Sequence, residues 1–125
     1  MITDSTRRIG AGALIATGVL HLVLAPEYLG EQAYIGVLFI LGGLTAAAIG
    51  ARLWTRDDAS AWIAGALVAV GMAVGFVLSR TVGLPGFHES EWELSGLISV
   101  VLELGVAGIA AAALRAPRHH GAVTA

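Results

Sequence analysis

Four long apolar runs alternate with short polar links along this chain of 125 residues. Each run is long enough, as helix, to cross the ~30 Å hydrocarbon core of a bilayer, which takes about 20 residues. The first covers residues 9–25, "IGAGALIATGVLHLVLA", with Pro26 expected to end it. The second covers residues 33–53, the third residues 61–79 and the fourth residues 92–114. Backbone groups in lipid must be satisfied internally, so spans of this kind are helices. The pattern predicts an all-α fold, a four-helix transmembrane bundle of two consecutive helical hairpins. It forms one membrane domain over residues 1–118, with a disordered tail at 119–125 that carries His119 and His120.

Composition agrees with this reading. Hydrophobic residues make up 57% of the chain and charged ones 13%, against roughly 25% charged in soluble domains. With no cysteine, disulfides, thiolate metal sites and cysteine nucleophiles are excluded. A net charge of −2 gives no basic field for nucleic acid. All seven basic residues are arginine, and six of them flank one side of the spans: Arg7, Arg8, Arg52, Arg56, Arg115 and Arg118. Arg80 alone lies on the other side. By the positive-inside rule both termini are expected in the cytoplasm, N-in and C-in, in a bacterial plasma membrane. The first run is expected to remain as a helix rather than act as a cleaved signal. His21 interrupts it, and no small-x-small site follows.

Small residues show how the spans meet, because membrane helices associate through close packing and polar contacts. Gly36, Gly43 and Gly50 form a stripe on the second helix, and Gly71 and Gly75 offer a small-xxx-small pair on the third. Thr17, Gly18, His21 and Ala25 share one side of the first. On the fourth, Trp92, Gly96, Ser99 and Glu103 recur at helical spacing, continued by Ala107 and Ala110. Leu94, Ile98 and Val101 lie opposite and suit lipid. Glu103 therefore points into the bundle, roughly 15 Å from the helix start. A carboxylate at that depth costs on the order of 3 kcal/mol, so it needs a partner, a proton or water.

Charge gathers at one end. His21 on the first helix, Arg80 closing the third, and Glu103 with Ser99 on the fourth converge as a candidate outer-facing pocket for a small ligand, ion or proton. The alternative is that these residues only hold the helices together, His21 bonding Thr17 or a carbonyl and Glu103 bonding Ser99 or Arg80. "FHESEWE" adds His88, Glu89, Glu91 and Glu93. An imidazole with carboxylates is a weak metal candidate, but no HxxxH or ExxH spacing supports it, and solvated loop acids are the expected state. Glu27 and Glu31 stand in the other outer loop. Trp92, Tyr28 and Tyr34 are expected as interfacial anchors, Asp57 or Ser60 as the cap of the third helix, and "VGLPGF" as a stiff connector. No cofactor is required by the sequence. A haem held by two histidines is not expected with His21 alone embedded.

At "HLVLAPEYLGEQAYIGVLFILGG" and "SRTVGLPGFHESEWELSGLISVVLELG" the chain resembles small bacterial four-span membrane proteins of unassigned function. In these a histidine ends the first helix, a "GxLF" run opens the second, and an "SRxxGLP" connector precedes a helix carrying glutamate. The resemblance covers nearly the whole chain and implies fold and location, without an activity. Two further function classes stand beside a pocket protein. One is an accessory subunit docking by its glycine faces on a larger membrane complex or on its own copies. The other is a membrane enzyme, for which no paired nucleophile is present.

Overall fold

Pro26 does not end the first helix. The structure, a computed structural model that describes residues 2–117, carries α1 unbroken over Asp4–Glu31 with Pro26 inside it. A proline removes one backbone donor, which a membrane helix tolerates when its neighbours re-satisfy the freed group. The added turn brings Tyr28 into the bundle, where it is buried. The chain then turns on Gln32, whose extended backbone closes α1 and opens α2 (Ala33–Thr55). The expected outer loop between the first two spans is therefore a single residue.

α3 spans Ala59–Arg80 and α4 spans Leu94–Arg115, and no strand occurs among the described residues. All four helices have the length and hydropathy to cross a membrane. At 1.5 Å per residue even the 22-residue helices reach about 33 Å. The chain is a small multi-pass membrane protein built as a four-helix bundle. Asp58, rather than Asp57 or Ser60, caps α3, accepting from the Ser60 and Ala61 amides at 3.0 and 3.4 Å. Hydrogen bonds from Ser60 and Arg52 hold its carboxyl well below the usual carboxylate range. Asp57 is used instead by Trp62, whose Nε1 donates to it at 2.8 Å.

α1 lies closest to α2, and glycine allows it. A Cβ on Gly43 would sit 2.7 Å from the Gly18 carbonyl oxygen, and one on Gly50 would sit 2.8 Å from that of Ala11. These backbones touch directly, the contact that small residues permit between membrane helices. α3 packs on α4, α4 closes the ring against α1, and contact between α2 and α3 is thinner. The buried face of α4 runs Gly96, Ser99, Glu103, Val106, Ala110 and Ala113. Val106 takes the place expected for Ala107, while Leu94, Ile98 and Val101 are exposed.

Three further expectations need correction. Trp92 lies before α4 and stacks edge-on against Phe76 instead of continuing the Glu103 stripe. Tyr28 is buried and bonded, not an interfacial anchor. Gly71 and Gly75 do not pack a neighbouring helix, since a Cβ at either would meet nothing within 4 Å. The proposed tail, with Arg118, His119 and His120, lies outside the described residues.

Candidate functional site

Leu14, Leu53, Trp62 and Val106 fill the half of the bundle that carries Arg7 and Arg52. In the opposite half the core opens. There the connector between α3 and α4 folds back as a roof. Gly83 (φ 88°) and Gly86 (φ 64°) take left-handed conformations that favour glycine. They let the chain reverse around Pro85, with paired backbone bonds of 2.7 and 2.9 Å between Leu84 and Phe87. Phe87 turns inward against Tyr28 and Ile35. The tip is tied to the start of α2: the Tyr34 hydroxyl donates to the Pro85 carbonyl, and Gln32 Nε2 donates to that of Gly86 at 3.0 Å.

Two separate polar clusters form, not the single triad expected. Around Arg80, Nη2 donates to Glu93 Oε1 at 2.9 Å and to the Tyr28 hydroxyl at 3.2 Å. Nη1 reaches Ser79 Oγ at 2.8 Å, and Nε reaches the Glu91 carbonyl at 3.1 Å. The guanidinium also lies over the Phe76 ring, 4.3 Å from its centroid, a cation–π contact. Its charge is thus matched by Glu93. The expected Arg80–Glu103 pair does not form, because Arg80 ends its helix where the extended N-cap Glu93 begins the next. Antiparallel neighbours bring those two ends together, a signal that the sequence does contain.

The second cluster is built on Glu103, 1% exposed. Its Oε2 accepts from Ser99 Oγ at 2.5 Å and from Thr17 Oγ1 at 2.7 Å, and the two hydroxyl oxygens are 3.0 Å apart. His21 faces inward and its Nδ1 lies 2.8 Å from the Thr17 carbonyl. A carbonyl only accepts, so Nδ1 carries a hydrogen and Nε2 is the free nitrogen. Nε2 stands 4.0 Å from Glu103 Oε2. The structure thus brings His21, Ser99 and Glu103 together and places Arg80 elsewhere. Thr17, the fourth member, was noted in the sequence only as a neighbour of His21, one helical turn away.

Between the clusters lies a cavity of about 260 Å³. His21 and Ser99 line it at one end and Ser79, Arg80 and Tyr28 at the other, with Phe39, Phe76 and other apolar side chains as walls. It is larger than the ~150 Å³ apolar cavities known to admit benzene. Gly71 and Gly75 border it, so their missing side chains contribute open space. No group of three or more His, Asp or Glu forms a metal site among the described residues. Glu91 is exposed, while Glu89 and Glu93 are part-buried and Glu93 is committed to Arg80. The chain matches no protein-family model, no curated protein and no solved structure, so the chemistry of this site rests on its own geometry.

Proposed function

We propose that this membrane protein binds a small, mainly apolar molecule with one hydrogen-bonding group in the cavity between its two polar clusters. The supporting observation is the cavity itself: mainly apolar walls, room for a ring-sized molecule, and a few polar side chains in its lining, among them His21, Ser95 and Ser99. Such a composition favours a lipid-soluble occupant oriented by a few polar contacts. Contact between α2 and α3 is thin on a side of the cavity that Leu38, Phe39, Gly71 and Gly75 line.

A substitution that fills the space without disturbing the packing tests this reading. Gly75→Leu meets no atom within 4 Å of its Cβ, so the bundle is expected to keep its melting temperature. Native mass spectrometry from nanodiscs is expected to find a bound small molecule on the wild type and to lose it in Gly75→Leu. No bound mass in the wild type, or equal occupancy in both, removes the proposal.

A docking role keeps one observation of its own. Gly105 and Gly108 on α4 stay exposed, with open space beyond them, so small-residue surface remains after the four helices have packed. For orientation, five arginines among the described residues, Arg7, Arg8, Arg52, Arg56 and Arg115, lie at one end of the spans, and Arg80 at the other is matched by Glu93, which supports cytoplasmic termini. A cysteine at Ser90 is then expected to react with an impermeant thiol reagent in intact cells, and one at Ala59 to stay unlabelled. The reverse pattern would invert the topology.

A further inference from the structure

Glu103 keeps one carboxylate oxygen, Oε1, buried with no hydrogen-bond partner among the described residues. All its partners gather on Oε2. An ionised carboxylate wants acceptor contacts on both oxygens, so a purely structural role leaves half of this group unserved. The contacts around Oε2, however, suit two protonation states. When Glu103 is ionised, Thr17 and Ser99 both donate to Oε2, at 2.7 and 2.5 Å. When Oε2 carries a proton, that proton can donate to Ser99 Oγ, Ser99 can turn its own hydrogen to Thr17 Oγ1 at 3.0 Å, and Thr17 continues to donate to Oε2. Three hydrogens then serve three oxygens in a closed ring. One hydroxyl rotation separates the two states.

His21 supplies the path. It lines the cavity, and its side chain is 12% exposed. With Nδ1–H held by the Thr17 carbonyl, the free lone pair is on Nε2. Among the described residues His21 is the one ionisable side chain within 4 Å of the Glu103 carboxylate. α3 brings Arg80, which is engaged with Glu93 at the connector end, and no ionisable group of α2 pairs with Glu103.

We propose that Glu103 is a proton-binding site loaded from the cavity through His21. Nε2 takes a proton from the cavity and becomes the donor facing Oε2. The 4.0 Å separation closes by an approach of about 1 Å or through one water. Delivery leaves neutral His21 and a neutral carboxylic acid in the ring. One proton has moved and no electrons have. The proposal rests on the cavity proposed above as a binding site, and it makes cavity occupancy and Glu103 protonation interdependent.

Infrared spectroscopy of the full-length protein in liposomes reads the carboxyl directly. A pH titration is expected to show, in the wild-type-minus-Glu103→Gln difference spectrum, a carboxylic-acid carbonyl band that disappears on alkalinisation. Should that variant not fold, Ser99→Ala serves instead, since the acid loses its acceptor and the band must shift. After a pH jump, His21→Gln is expected to slow the appearance of the band by about a hundredfold or more, the loss typical of a removed proton-transfer group. A Glu103 that stays ionised throughout overturns the proton site, and an unchanged rate in His21→Gln overturns the relay. Neither result touches the bound-mass measurement, on which the cavity reading stands separately.

Discussion

Glu93→Leu is expected to cost about 3 kcal/mol of stability, the range seen when one member of a buried ion pair is removed. The reason lies in an asymmetry of burial. The Arg80 side chain is 4% exposed and that of Glu93 is 32% exposed. Removing Glu93 leaves a guanidinium uncompensated among Tyr28, Ser79 and Phe76. Removing Arg80 instead leaves a carboxylate that can turn to water, so Arg80→Met is expected to cost less than Glu93→Leu. The double variant is expected to regain much of the Glu93→Leu loss. Unfolding in mixed detergent provides the values. By contrast, Arg80→Met combined with Glu103→Gln is expected to be additive, because the two groups share no partner. Coupling between those two would restore the pairing that the observed geometry excludes.

The second large effect is at the seam between α1 and α2. Gly43→Val places a branched side chain where even a Cβ would lie 2.7 Å from the Gly18 carbonyl oxygen and 2.9 Å from Leu22. Backbone cannot retreat as a flexible side chain can, so the helices must separate. A loss of about 3 kcal/mol is expected, the upper part of the range for overpacking. Gly71→Val, where a Cβ would meet nothing within 4 Å, is expected to change stability by no more than about 0.5 kcal/mol. Equal losses at the two glycines would mean that the seam is not the tight contact described.

Apolar run length was enough to find all four helices, because a bilayer imposes both their length and their internal hydrogen bonding. Their ends were less legible. Pro26 carries a strong local signal for termination, yet burial of Tyr28 two residues later favours continuation. Spacing alone put Gly96, Ser99 and Glu103 on the inner face of α4, where they are buried. It could not say whether Gly71 and Gly75 would pack or stand open, since both outcomes have the same periodicity. The partner of Arg80 was missed for a related reason. Reading Glu93 as one of the solvated loop acids left it without a partner, whereas a start of α4 at Leu94 leaves it extended and within reach of Arg80.

Glu103 stands nine residues after Leu94 in a helix of 22, so its carboxylate lies roughly 14 Å along a span of about 33 Å. That position has an electrical meaning. A proton that reaches it from the connector end crosses nearly half of the voltage drop across the membrane. A potential of 100 mV is worth about 2.3 kcal/mol for a full crossing, hence on the order of 1 kcal/mol at this depth. An energised membrane would then bias the protonation of Glu103 by about fivefold with no change of pH on either side; with the connector end outside, as proposed, an inside-negative potential would favour loading from outside.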